Sequence, residues 1–472
     1  MFVLAAASRP RSWYIGVRLI NMDNNKIVIP SGAQFIIEEL AKHGHVAYVV
    51  GGCVRDSVLG RNPADWDITT DALPEEVKAI FPVTIDTGIE HGTVTVRIKH
   101  VSYEVTTYRI DGDYEDGRHP KDVTFTRSLE EDLKRRDFTI NAMAYNDTDG
   151  LVDLFGGLED LKAGVVRAVG NPTERFSEDA LRMLRALRFS AQLGFEIEKE
   201  TFAAIRTLAP TLAKVSAERI QVEVLKLICS DHPERMEQVA MSGLSAIFFP
   251  EWDAMLSCKQ ATVHHCYDVG HHTIVVMQGV PATKTLRLAA LLHDVAKPLS
   301  KKTDKKGLDH FVGHPSLGAE MAKEIMRRWK LDNATIDEVC RLVRYHDERP
   351  ELTPRNARRL VHRIGVDYME NLLALQHADV LGQSDFQREE KLERIELLRS
   401  LYHQMLEEEA CLQIRDLKVN GQDAMAMGIP KGPQIGEVLE YLLQQVIEEP
   451  ARNEREYLMG VLEQWKNSEA NR

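Results

Sequence analysis

The chain has 472 residues, 44% of them hydrophobic and 28% charged, enough for about three domains at ~150 residues each. This composition excludes a disordered tail, a collagen-like fibre and a small disulfide scaffold, and no apolar run approaches the ~20 residues of a membrane helix. Net charge is −13, from 59 basic against 72 acidic residues, so a polyanionic partner would have to be met by local patches. Six cysteines (Cys53, Cys229, Cys258, Cys266, Cys340 and Cys411) form no CxxC pair, which predicts a reduced, cytoplasmic protein.

Residues 1–21 carry neither an amphipathic period nor turn logic and are expected to be a disordered extension. The physiological start is expected at Met22, since codons for Gly16-Val17-Arg18 can supply a purine-rich ribosome-binding run. From Met22 the text reads as a capped amphipathic helix and then a strand, AYVV. Residues 22–160 form an α/β head with further strand-like pieces ADWDITT, GTVTVRI and SYEVTTYRI, then the polar run IDGDYEDGRHPKD. Helical periods take over from about Asp160. Breaks near Pro250, Pro281, Pro350 and Pro430 suggest a neck over 161–250, a second functional domain over 251–385 and a helical tail over 386–472. The predicted class is α+β, a mixed head on a mainly α-helical body.

In ADWDITT, a strand would turn Asp65 and Asp67 to one face and Trp66 to the other. Two convergent carboxylates suit Mg²⁺ whose other ligands are phosphate oxygens and water; alone, the pattern also fits a solvated strand face. Upstream, VVGGCVRD sets Gly51 and Gly52 between a strand end and a helix start, where backbone amides can approach a triphosphate closely. Arg55, a turn later, can add fixed charge.

These motifs, with EVTTYR, RRDFTINAMAY and SEDALRMLRALRF in order, resemble the class II tRNA nucleotidyltransferases (CCA-adding enzymes) and the related bacterial poly(A) polymerases of the polymerase β-like superfamily. The resemblance implies a polymerase β-like head performing nucleotidyl transfer. Asp65 and Asp67 would hold two Mg²⁺, one activating an RNA 3′-hydroxyl and the other bridging the triphosphate. Glu104 would be a third carboxylate or a solvated strand position. It also implies nucleotide contacts at Gly51, Gly52, Arg55, Arg136, Asp137, Asn141, Asp179, Arg182, Arg185 and Arg188, with Asp179 and Arg182 reading the base. On the helix, Arg182, Arg185 and Arg188 are expected to face a cleft or solvent, opposite Leu181, Leu184 and Leu187.

The stretch FPVTIDTGIEHGTVTVRI lacks the arginine-rich signature of poly(A) polymerases and looks like the CCA-adding branch. The run Asp111–Asp122 resembles the flexible loop of enzymes adding all three nucleotides. The implied substrates are CTP, ATP and tRNA, with no membrane partner.

Further on, HHCYDVGHHT, LAALLHDVAKP, FVGHPSLGAE, VRYHDERP and ALQHADVLG place His272, His293, Asp294, His314, His346 and Asp379 in an order resembling HD-domain phosphohydrolases. That resemblance implies a metal site for Mn²⁺, Ni²⁺, Fe or Zn²⁺ and phosphoesterase action, such as 2′,3′-cyclic phosphodiesterase or phosphatase. His272 is preferred over His271 because the resembled pattern has His-Thr. In RNARRLVHRIG, Arg355, Arg358, Arg359 and Arg363 share a helical face and form a candidate phosphate track. The C-terminal DLKVNGQDAMAMGIPKGPQIG would carry a tRNA-binding tail. Competing readings are a poly(A) or A-only polymerase, a hydrolase of nucleotides or RNA ends with a vestigial head, and an RNA-binding protein with inert sites.

Overall fold

The computed structural model describes residues 26–112 and 123–469. The expected extension 1–21, the Met22 start and nearly all of the Asp111–Asp122 loop lie outside those residues. The chain divides into two compact units, Met1–Val215 and Ser216–Arg472.

In the first unit, α1 (Ser31–Lys42) starts after Pro30 and buries Ala33, Ile36, Ile37 and Leu40, the spacing of one helical face. It leads into β1 (Ala47–Val50), α2 (Gly52–Val58), β2 (Ile68–Thr70) and α3 (Pro74–Ile80). Then come β3 (Thr84–Gly88), β4 (Thr93–Ile98), β5 (Val101–Thr107), β6 (Arg109–Asp111), β7 (Val123–Phe125), α4 (Leu129–Lys134), β8 (Met143–Asn146) and β9 (Gly150–Asp153). Seven strands make one sheet in the order β3-β4-β5-β2-β1-β8-β9. Its neighbours are antiparallel except β2 and β5, which run parallel with Ile68 opposite Val105. Tyr48, Val50, Tyr108, Leu133 and Ala144 form a core cluster that ties α4 to the central strands.

Two strand expectations need correction. The run ADWDITT is regular strand only from Ile68, so Asp65 and Asp67 stand in the segment leading into β2. SYEVTTYRI is interrupted at Tyr108, which is 2% exposed and donates its amide to the Thr70 carbonyl; beyond it β6 leaves the sheet and pairs with β7. The unit continues through α5 (Gly157–Ala163), β10 (Val165–Val166), α6 (Pro172–Glu178), α7 (Leu181–Leu193), β11 (Glu196–Ile197) and α8 (Lys199–Leu208).

The second unit is helical but for one small hairpin. It opens with α9 (Ala217–Ile228), α10 (Met236–Met241), α11 (Ser245–Phe248) and α12 (Pro250–Ser257). Next come α13 (Val269–Gly279), α14 (Lys284–Leu292), α15 (Lys297–Ser300), the hairpin β12 (Lys302–Thr303) and β13 (Asp309–His310), α16 (His314–Arg328) and α17 (Asn333–Tyr345). Residues 286–292 of α14 are buried without a break, so this helix is the centre of the unit. The chain closes through α18 (Pro354–Ile364), α19 (Met369–Gly382), α20 (Arg388–Glu407), α21 (Gly421–Ala426), α22 (Pro433–Glu448) and α23 (Arg455–Glu469). Val438, Leu442, Val446, Leu458 and Leu462 build a separate core around α22 and α23. Among the described residues no helix is long and apolar enough to cross a membrane.

Candidate active sites

The turn after β1 needs glycine. Gly51 has φ +81°, and a Cβ there would stand 3.1 Å from a terminal nitrogen of Arg136. The Asp67 carbonyl accepts from the Val50 amide at 3.0 Å, fixing the acidic segment beside this turn. The parallel register of β2 and β5 sets Asp67 level with Glu104. Asp65 and Glu104 both lie close enough to Asp67 for their charges to act on it. Burial and then the charges of Asp65 and Glu104 push the Asp67 carboxyl up to about 6, with Arg136 opposing. Such a cluster repels itself and can be relieved by a divalent cation.

Behind the turn, the structure brings Arg55, Asp137, Asn141, Arg185 and Arg188 together. Arg55 donates to Asn141 at 2.6 Å and, through two nitrogens, to Asp56 at 2.9 Å. Asn141 donates to Asp137 Oδ1 at 3.0 Å, and Arg185 donates two hydrogen bonds to Asp137 Oδ2 at 2.8 and 2.6 Å. Burial alone would raise the Asp137 carboxyl, but Arg185 and Asn141 hold it well below the usual carboxylate range. Arg55, Arg185 and Arg188 surround the Phe189 ring, with guanidinium carbons 5.0, 5.4 and 3.9 Å from its centroid. Arg188 is only 7% exposed, contrary to the expectation that it faces a cleft or solvent; one face of α7 packs on the head, and the phenyl ring shields its charge.

Asp179 ends α6 and accepts from the Leu181 amide at 3.0 Å. Arg182, in the first turn of α7, is pinned by Glu178 at 2.6 Å and by the carbonyls of Arg135 (3.0 Å) and Arg175 (3.3 Å). Asp132 escaped the sequence reading. Its side chain is fully buried, accepts from Thr69 of β2 at 3.0 Å and ion-pairs with Arg135 (2.7 Å) and Arg136 (3.3 Å). The acid-to-base spacings of three and four residues were the available signal.

A second constellation lies in the helical unit. His272, His293, Asp294, His314, His346 and Asp379 are all buried. His272 Nε2 stands 3.0 Å from Asp379 and 3.3 Å from His293 Nε2, while His314 and His346 Nε2 approach each other to 3.3 Å. Asp294 lies between the pairs, 3.2 Å from His293 and 3.4 Å from His314. Each Nδ1 faces a backbone carbonyl, those of Gly382, Ala290, Phe311 and Val343. That arrangement makes Nδ1 the donor and turns every Nε2 lone pair inward. Two ligand triads result, His272-His293-Asp294 and Asp294-His314-His346, sharing Asp294. Four imidazoles turned toward a shared buried carboxylate are a donor set that fits transition-metal ions. His271 points elsewhere, to Asp268 at 2.7 Å.

A cavity of about 580 Å³ opens on this cluster, and Lys297, Arg349 and Lys391 are among its lining residues. Lys297 pairs with Asp294 at 2.7 Å and Arg349 with Asp379 at 3.3 Å. None of these three cations was assigned to this site from the sequence, where Arg349 stood only as one of a run of arginines; Lys297, three residues after Asp294, carried a local signal. The supposed phosphate track on α18 is also corrected. Arg355 and Arg359 both pair with Glu448, Arg358 donates to the Ile447 carbonyl at 2.9 Å, and Arg363 pairs with Glu348. Three of these arginines thus fasten α18 to the end of α22.

Three families match in succession: "Poly A polymerase head domain" over residues 47–167, "Probable RNA and SrmB- binding site of polymerase A" over 194–256, and tRNA nucleotidyltransferase domain 2 over 310–462. The CCA-adding enzyme of Levilactobacillus brevis is 36% identical over 440 residues, 91% of this chain and 96% of the relative. That of Geobacillus stearothermophilus is 37% identical over 434 residues, 90% of this chain and 95% of the relative. The crystal structure of the Bacillus stearothermophilus CCA-adding enzyme in complex with CTP is similar with a TM-score of 0.67 and 31% identity, covering 93% of this chain and 98% of that one.

Proposed function

The chain belongs to the CCA-adding enzyme family, and from that premise we propose that its head adds the CCA end to tRNA from CTP and ATP without a nucleic-acid template. The observation that carries the metal-dependent reading is the self-repelling cluster of Asp65, Asp67 and Glu104 beside the Gly51–Gly52 turn. Asp65 and Asp67 would hold Mg²⁺, which when bound supplies positive charge to the triphosphate and lowers the proton affinity of the RNA 3′-hydroxyl. The amides at the start of α2 face the phosphates, and Gly51 keeps a side chain out of their path.

Base choice falls to Asp179 and Arg182. Cytosine and adenine each set an exocyclic amine beside a ring-nitrogen acceptor; a carboxylate accepts from the first and a guanidinium donates to the second. Uracil and guanine offer a carbonyl beside an N–H, which mismatches both groups at a cost of several kcal/mol. The grip of Glu178 and two carbonyls on Arg182 supports such a role, because a reader held in advance loses little entropy on binding. The test is incorporation into tRNA transcripts lacking one, two or all three terminal nucleotides, with each triphosphate supplied singly and together. Ordered addition of C, C and A is expected; an extending run of A from ATP alone would overturn the reading.

For the helical unit we infer a metal-dependent phosphoesterase. Four buried imidazoles with inward lone pairs, set around Asp294 with Asp379 beside His272, carry this reading. His272, His293, Asp294, His314, His346 and Asp379 would hold metal, which supplies an activated water when bound. Lys297 and Arg349 stand ready to hold the phosphoryl group and to balance its charge.

A further inference from the structure

The cavity over the metal-ligand cluster is bordered by a hairpin and by an aromatic rim. One wall is β13 of the β12–β13 hairpin, Asp309 and His310, with Phe311 and Val312 that follow it. Lys301 at its base is tied to Asp309 at 2.9 Å. Lys302, Lys305 and Lys306 are exposed, and among the described residues they form no ion pair. Inside the cavity, Lys391 contacts neutral partners, Gln383 Oε1 at 2.9 Å and His264 Nδ1 at 3.4 Å. The hairpin that borders the cavity therefore carries three exposed cations outside it, and Lys297, Arg349 and Lys391 stand inside.

The rim is aromatic as well as basic. His264 lines the cavity and packs edge-on against Phe386 with ring centroids 5.1 Å apart; Phe386 is 46% exposed. Phe311 also lines the cavity, half-buried with the Lys297 ammonium 5.3 Å from its ring centroid, and Val312 beyond it is 87% exposed. Exposed rings beside a basic path are what a single strand requires, since its unstacked bases can lie on aromatic faces while its phosphates follow the lysines. A duplex would offer its bases to neither ring.

Resting on the phosphoesterase reading of this site, we propose that its ligand is the phosphorylated end of a single-stranded RNA, drawn over the β12–β13 hairpin and the His264–Phe386 rim, and not a free nucleotide. The terminal phosphate lies toward Lys297 and Arg349, and the preceding phosphates meet Lys391 and the hairpin lysines.

The test uses the full chain with Mn²⁺, a decaribonucleotide bearing a 3′-phosphate, and the matching nucleoside 3′-monophosphate. Hydrogen exchange over residues 301–313 should slow with the oligonucleotide and not with the mononucleotide. Phosphate release should favour the oligonucleotide at least tenfold in kcat/KM, and substituting Lys302, Lys305 and Lys306 together by alanine should bring that ratio toward one and abolish the protection. Equal kcat/KM with an unprotected hairpin overturns the proposal while leaving a phosphoesterase in place. If neither compound is hydrolysed, the phosphoesterase reading fails and exchange alone decides: protection of 301–313 supports an RNA-end site, and its absence removes it.

Discussion

Asp67 joins chemistry to stability. Its carboxyl is raised from 3.8 to about 6, so between those values the folded chain holds a proton that the unfolded chain has released. Stability of the metal-free protein therefore falls as pH rises from about 4 to 6 and stays lower above that. Asp67→Asn removes the penalty: the metal-free variant should be more stable at pH 7 by about 1–2 kcal/mol, after discounting for partial exposure, and should match the parent at pH 4. Denaturant melts at the two pH values check this. The same variant should add no nucleotide. Arg182→Ala addresses another residue-level claim. Incorporation of UTP relative to CTP should rise at least about tenfold with the Mg²⁺ dependence unchanged, since only the base edge loses its donor; wild-type rates and selectivity would mean that Arg182 is not the reader.

At the scale of elements, α18 illustrates what pattern alone leaves open. Four arginines on one face fit a phosphate track or a fastening to acidic neighbours equally well, and only the fold brings Glu448 within reach of Arg355 and Arg359. Glu448→Ala releases both. Stability should drop by no more than about 1 kcal/mol, while affinity for tRNA at low salt should rise, with a slope of log K against log salt steeper by up to about two; filter binding across a salt series measures it. The glycine turn, by contrast, was legible, because a strand end followed by Gly-Gly has few conformational alternatives and Gly51 indeed takes a positive φ. Leu181, Leu184 and Leu187 were legible as a buried face, but the same period could not distinguish an arginine facing solvent from Arg188 laid on Phe189. Asp132 was missed although its spacing to Arg135 and Arg136 was a local signal, whereas the contact of Arg349 with Asp379 exists only once the helices are placed.

At the scale of the whole molecule, the two proposed chemistries fall to two separately built units. The six candidate ligands of the helical unit were listed in chain order through their resemblance to HD-domain phosphohydrolases; burial cost alone marked only His293 and Asp294. The grouping of five of them into two triads sharing Asp294, with Asp379 against His272, came from geometry. If these ligands hold metal, adding Mn²⁺ or Ni²⁺ at a hundredfold over Kd should stabilise the helical unit by about 2.7 kcal/mol, visible as a raised Tm, and Asp294→Ala should abolish the shift while leaving nucleotide addition intact.

The most direct measurement of the central claim assays both reactions on the same preparations of Asp65→Ala, His293→Ala and the parent chain. Nucleotide addition to tRNA should fall at least about a thousandfold in Asp65→Ala, with phosphoester hydrolysis at the parent rate; His293→Ala should show the reverse. Loss of both activities in either variant, with circular dichroism and melting like the parent, would contradict two independent sites.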